Sequence, residues 1–156
     1  MAEQILPDDF KEFLKLLNEH DVAYLLIGGY AVGYYGYPRA TADMDIWVAL
    51  SPANASKLVD VFFRFGMQDP QLDSDLFLER GKIIRMGVPP MRIEVLTEID
   101  GVEFGQCYDS RVEAEIDGIQ INLIARNHLL ENKRASARHK DLDDVENRKY
   151  MSPLYR

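Results

Sequence analysis

The stretch GGYAVGYYGYPRATADMDIWV, residues 28 to 48, ends in an Asp-x-Asp pair formed by Asp43 and Asp45. In an extended strand, side chains two positions apart point to one face, about 6.5–7 Å from each other. Asp43 and Asp45 would then stand side by side, with Met44, Ile46 and Val48 turned to the opposite, apolar face. Neighbouring carboxylates repel, and a divalent cation between them makes the arrangement favourable. Mg²⁺ suits such a pair, because it takes one or two carboxylates together with phosphate oxygens and water. A third acid is available in MRIEVLT, where Glu94 shares a strand face with Arg92 and Leu96. If that strand lies beside the Asp-x-Asp strand, Glu94 reaches the same cation or acts as a base on an incoming hydroxyl.

Gly28-Gly29 stands between a short apolar run and the start of a helix. Missing side chains there let backbone N–H groups approach a phosphate, and the helix dipole favours its negative charge. The glycines would hold a triphosphate and the aspartates the metal that the phosphates share. Each feature also has a plain structural reading: a polar loop edge for Asp43 and Asp45, an exposed strand acid for Glu94, an ordinary turn for the glycines. Their combination is more specific than any one of them. A nucleotide-sugar glycosyltransferase also uses Asp-x-Asp, to hold manganese, but 156 residues leave little room for its acceptor half. No Gly-x-x-x-x-Gly-Lys-Ser/Thr occurs, and Gly29, Gly33 and Gly36 lack dinucleotide-fold spacing.

Other chemistry-bearing residues carry weaker signals. Tyr30, Tyr34, Tyr35 and Tyr37 are read as core or rim packing before stacking platforms for a base. His20, His128 and His139 form no metal-ligand spacing. Cys107, the single cysteine, excludes an internal disulfide and a zinc site of paired cysteines, and reads as a small, semi-buried apolar residue.

The elements that must position these residues follow from periodicity. Asp8 is expected to cap a helix with Phe10, Phe13, Leu14 and Leu17 on its buried face. VAYLLI (22 to 27) reads as a buried strand, YAVGYYGY as a short helix ended by Pro38, and ADMDIWVAL (42 to 50) as a strand. Ser51-Pro52 opens a helix running to Gly66 with Val59, Phe62 and Phe63 inside. KIIRMG and MRIEVLT flank Pro89-Pro90 as a hairpin, and RVEAEI and IQINLI flank Asp117-Gly118 as another. From Arg126 to about Tyr150 the pattern is helical, in two pieces broken near Arg138. The expected class is α+β, a mixed, largely antiparallel sheet packed with helices.

Composition limits the partners. With 156 residues, 47% of them hydrophobic, the chain is expected to form one domain, residues 1–156. Acids in MAEQILPDDF and the lack of a long apolar run point to a soluble, cytoplasmic protein with no membrane partner. A net charge of −8 opposes broad nucleic-acid binding. A local exception is residues 126 to 140, where Arg126, Lys133, Arg134, Arg138 and Lys140 face only Glu131, before Asp141, Asp143, Asp144 and Glu146 reverse the sign.

The run LIGGYAVGYYGYPRATADMDIWV resembles the signature of the nucleotidyltransferase superfamily of the polymerase-beta type: strand, Gly-Gly or Gly-Ser turn, short helix, then Asp-x-Asp on the next strand. Joined to LLENKRASARHKDLDDV, it is similar to a small bacterial group containing the nucleotidyltransferase toxins of abortive-infection systems. The resemblance implies a nucleotidyltransferase-like mixed β-sheet flanked by helices. It matches Gly28 and Gly29 to the phosphate turn, Asp43 and Asp45 to the metal ligands and Glu94 to the third carboxylate. Arg39 and Thr41 in the loop before the aspartates, and Lys133 and Asp141 in the C-terminal helical region, match further nucleotide-binding positions. The implied reaction is Mg²⁺- or Mn²⁺-dependent transfer of a nucleoside monophosphate from a nucleoside triphosphate to a hydroxyl of an RNA end or a protein side chain, with pyrophosphate leaving. Lys133 suits the triphosphate as a point charge. The competing expectation is a catalytically inactive module of the same fold, such as a toxin–antitoxin component with a cognate partner. Two departures stand out: Glu94 where Asp is common, and Gly-Gly-Tyr, which has no serine hydroxyl to touch phosphate.

Overall fold

The computed structural model of the chain describes residues 5–37, 43–88 and 91–147, without the side chains of residues 139–147. Arg39, Thr41, Pro89 and Pro90 therefore lie outside the described residues, as does the side chain of Asp141. The elements run α1 (Asp8–Glu19), β1 (Tyr24–Ile27), α2 (Gly28–Tyr34), β2 (Asp43–Val48), α3 (Pro52–Arg64), a single 3₁₀ turn at Leu76–Leu78, β3 (Ile83–Val88), β4 (Met91–Leu96), α4 (Phe104–Asp109), β5 (Val112–Ile116), β6 (Ile119–Leu123) and α5 (Arg126–Asn147).

The six strands form one mixed sheet in the order β3-β4-β2-β1-β6-β5. β2 lies antiparallel to β1 and parallel to β4, and β1 is parallel to β6. Hairpins β3–β4 and β5–β6 supply the two edges. In the second hairpin Asp117 and Gly118 both take positive φ, 52° and 80°, as a tight two-residue turn between right-twisted strands requires.

Local sequence explains the helices. Pro7, with φ −55°, takes the capping position before α1, so Asp8 is the first helical residue and makes no side-chain cap. Asp8 and Asp9 instead place their charge in the first turn, where the helix dipole favours it. Phe10, Phe13, Leu14 and Leu17 are buried, and Phe13 stacks on Phe62 of α3 with ring centroids 5.6 Å apart. Ser51 caps α3 by accepting from Asn54 N at 3.2 Å. The buried face of α3 is Ala55, Leu58, Val61 and Phe62. That phase rotates Phe63 to the solvent side, 61% exposed, contrary to expectation, and leaves Val59 only partly buried.

α5 is one continuous helix rather than two pieces, since no glycine or proline between 126 and 147 interrupts it. α2 begins at Gly28 itself, directly after β1, so the glycines form its first turn. Two features at the far end of the sheet escaped the sequence reading, the 3₁₀ turn and α4. Phe104 of α4 packs edge-on against Trp47 at 5.1 Å. Trp47 is two residues along from Asp45 on the same strand face, so this face is covered there while Asp43 and Asp45 stay partly exposed. Among the described residues no helix is long and apolar enough to cross a membrane.

Candidate active site

Alternation in DMDIWV sends Met44, Ile46 and Val48 into the core, all fully buried, and leaves Asp43 and Asp45 on the other face. In β4, Ile93 and Val95 are buried, so Arg92 and Glu94 share that same outer face. Parallel pairing of β2 with β4 then sets Asp45 opposite Glu94 and Asp43 opposite Arg92. The antiparallel neighbours extend the first row, Ile27 beside Asp45 on one side and Arg85 beside Glu94 on the other. One transverse line across four strands thus reads Ile27, Asp45, Glu94, Arg85.

Gly28 follows Ile27 directly and meets Asp45. A Cβ built at Gly28 would overlap Asp45 Oδ2. Gly28 also has φ +70°, a region that side chains rarely adopt. The double-glycine turn and the aspartate pair are therefore in contact.

Charge in the site is partly balanced by arginines. Arg92 grips Asp43 as a fork, with Nη2 donating to Oδ2 at 3.0 Å and Nε to Oδ1 at 3.4 Å. Its Nη2 also lies 3.8 Å from Glu94 Oε1. Arg85 Nε donates to the same Glu94 Oε1 at 3.1 Å. Asp45 differs: its Oδ1 is buried without a hydrogen-bond partner. Burial, reinforced by the charges of Glu94 and Asp43 and opposed by Arg92, pushes the Asp45 carboxyl up to about 7.

Three carboxylates supply the hard oxygen donors that Mg²⁺ or Mn²⁺ takes, and the unsatisfied Asp45 Oδ1 offers a ready ligand atom. The donor set fits such a cation. Among the described residues, no group of three His, Cys, Asp or Glu yet surrounds a metal-sized point. Asp43 and Glu94 are turned to arginines instead.

A cavity of about 430 Å³ opens between α2 and α5, lined by Val32, Tyr35, Tyr37, Arg126, Leu129, Leu130 and Lys133. Val32 lies about one helical turn beyond Gly28. Tyr35 Oη donates to Ile124 O at 2.7 Å, fixing the entry to α5 against α2. Arg126 Nη2 donates to Tyr37 Oη at 2.9 Å. Farther along α5, Asn132 Nδ2 donates to Asp100 O at 2.9 Å. A Cβ at Gly101 would collide with Ala135, so the helix seats closely there and presents Lys133 to the cavity.

Of the residues expected to matter, Gly28, Asp43, Asp45 and Glu94 come together, and Lys133 lines the neighbouring cavity. Arg39 and Thr41 lie outside the described residues, and Asp141 lies in α5 without a described side chain. Tyr30 is buried as packing, whereas Tyr35 and Tyr37 line the cavity. His20 accepts its place at the end of α1, its Nδ1 2.9 Å from Leu16 O. Cys107 is fully buried, which pushes its thiol up to about 11. Sequence reasoning missed the roles of Arg85 and Arg92. Their signal was present: a hairpin in which Val88 pairs with Met91 sets position 85 opposite 94, and alternation puts Arg92 on the Glu94 face.

The sequence matches no protein-family profile, and no curated protein matches it. In three dimensions the chain is similar to the crystal structure of a candidate nucleotidyltransferase, TM1012 of Thermotoga maritima, with a TM-score of 0.59 and 12% sequence identity over 95% of this chain and 94% of the other. The fold is nucleotidyltransferase-like, a mixed sheet flanked by helices.

Proposed function

We propose that the protein is a cytoplasmic, metal-dependent nucleotidyltransferase that moves a nucleoside monophosphate from a nucleoside triphosphate to a hydroxyl, releasing pyrophosphate. The observation that carries this reading is the placement of Asp45 across from Glu94 and against Gly28. It joins a triad of acids to a backbone turn without side chains, the two features that triphosphate chemistry needs side by side.

In this reading Asp43, Asp45 and Glu94 hold Mg²⁺ or Mn²⁺. When bound, the cation neutralises the triphosphate and favours ionisation of the attacking hydroxyl. Gly28 lets the turn lie directly against the Asp45 carboxylate, and Gly29 adds no side chain between the turn's backbone and the phosphates. Glu94, longer than aspartate and near the outer strands, accepts the proton of the attacking hydroxyl. Val32, Tyr35 and Leu129 offer the apolar wall that a base needs, and Arg126 and Lys133 put positive charge at its rim. Arg39, Thr41 and Asp141 complete the nucleotide site by resemblance. The acceptor is an RNA end or a protein side chain.

One observation favours a second reading. Arg92 and Arg85 already neutralise Asp43 and Glu94, as would suit an inactive module that binds a partner, such as a toxin–antitoxin component. An Asp45→Asn variant separates the two. Loss of Mg²⁺-dependent nucleotide labelling, with binding of any partner retained, supports the enzyme; a biological effect that survives the substitution supports the module.

A further inference from the structure

We propose that Arg92 is an exchangeable counter-ion: it occupies Asp43 in the metal-free site, and a divalent cation binds by taking its place, so that Arg92 sets how tightly the site holds that cation. This rests on the nucleotidyltransferase reading and adds to it a built-in control of the cation step.

The geometry is specific to Arg92. Its position is fixed by register, directly across the parallel β2–β4 seam from Asp43. Both carboxylate oxygens are engaged by its fork, at 3.0 and 3.4 Å. A fork of this kind is the strongest geometry by which a side chain holds a carboxylate. A cation that ligates Asp43 competes with these N–H donors for the lone pairs and the charge of the carboxylate. The same guanidinium reaches toward Glu94 at 3.8 Å, so it stands where the charges of two of the three acids meet.

Arg85 is placed differently. It engages Glu94 through Nε on the edge strand β3, and its side chain is 54% exposed. Water screens such a pair, and its influence on a neighbouring cation is small. On the Arg92 row, β3 contributes Gly87, so that strand puts no side chain beside Arg92 to pin it. Arg92 can therefore leave Asp43 without unpacking the core, whose residues Ile93 and Val95 point the other way.

Two effects of opposite sign follow. Without metal, removing Arg92 takes its two N–H donors and its positive charge away from Asp43 and destabilises the fold. With metal, the same removal abolishes the competitor and tightens cation binding. A group that only braces the strand would not produce that pair of effects, because its loss would leave affinity unchanged or lower it.

The test titrates Mn²⁺ into the full chain and follows free Mn²⁺ by electron paramagnetic resonance, with thermal melting measured in parallel. Arg92→Gln should bind Mn²⁺ about tenfold more tightly than the unaltered protein, a change that corresponds to removal of one half-buried charge. Its metal-free melting temperature should fall by about 3–5 °C and recover with Mn²⁺. Arg92→Lys, which keeps the charge and loses the fork, should fall between the two, and Arg85→Gln should tighten binding less than about threefold. Adding Asp45→Asn should abolish binding in either background.

If folded Arg92→Gln binds Mn²⁺ no more tightly than the unaltered protein, or if Arg85→Gln tightens it as much, the exchange is wrong while the cation site stands. If neither the unaltered protein nor folded Arg92→Gln binds Mn²⁺, the cation reading falls first and the exchange with it.

Discussion

Gly28 and Asp45 touch across the seam between β1 and β2, with no room between them for a side chain on residue 28. Gly28→Ala therefore carries two penalties, a methyl group driven against the Asp45 carboxylate and a non-glycine residue at φ +70°. The variant should lose about 2–4 kcal/mol of stability. Because Asp45 has to turn to make room, Mn²⁺ binding should weaken at least tenfold. Urea unfolding and a metal titration check the two parts separately.

Asp45 gives the metal-free protein a pH dependence of definite sign. Its carboxyl is raised from 3.8 to about 7 in the fold, chiefly by burial and then by Glu94. The unfolded chain loses the proton near 3.8 and the folded chain near 7, so stability declines as pH rises between those values. Asp45→Asn removes the penalty. Without metal it should be more stable than the unaltered protein by about 2 kcal/mol at pH 8, and the advantage should vanish toward pH 4. Denaturation series at several pH values in the presence of a chelator would show it; an advantage that grows on acidification would contradict the burial argument.

The line of residues from Ile27 to Arg85 shows how much of the site could be read in the sequence. Alternation alone put Asp43 and Asp45 on one face and Glu94 on the outer face of its own strand, because period-two burial is local information. The pairing of Asp45 with Glu94 is a parallel contact across 49 residues, and no local pattern encodes that register. Turn chemistry was equally legible at Asp117-Gly118, where two positive φ angles are demanded. Helix phase was not: Phe63 and Phe62 are adjacent and equally apolar, and only packing against Phe13 and Phe77 decides which one is buried. The expected break near Arg138 rested on a change of charge, which a helix tolerates on its solvated faces. The arginines stayed unassigned because a strand arginine signals a solvated face until register sets a carboxylate across from it.

Asn54 ties the ends of β1 and β2 to α3. Its Oδ1 accepts from Ala23 N at 2.8 Å, and its Nδ2 donates to Ala23 O at 3.1 Å and Ala49 O at 3.0 Å. The residue is only 5% exposed, and truncation leaves Ala23 N and Ala49 O without these partners, while Ala23 O keeps its bond from Ala49 N at 3.2 Å. Asn54→Ala should cost about 2–4 kcal/mol in chemical denaturation. Its contacts lie at the end of β2 remote from Asp43, so Mn²⁺ affinity at low temperature should change less than twofold.

In the proposed function the nucleotide occupies the cavity between α2 and α5 that Lys133 lines. Lys133→Ala should weaken binding of a nucleoside triphosphate about tenfold, the loss of one charge facing phosphate. Mn²⁺ binding in the absence of nucleotide should stay the same. Calorimetry with a non-hydrolysable triphosphate would check the first part, and equal nucleotide affinities would move the base and phosphates out of this cavity.

The most direct measurement of the proposed chemistry follows the label of a nucleoside triphosphate tagged at its α-phosphate or, separately, at its γ-phosphate, with Mg²⁺ and total RNA or cellular protein as acceptor. Nucleotidyl transfer predicts covalent label from the α-tagged nucleotide alone, pyrophosphate in equal amount, and no label with Asp45→Asn. Label arriving from the γ-phosphate, or α-label undiminished by Asp45→Asn, would contradict the account.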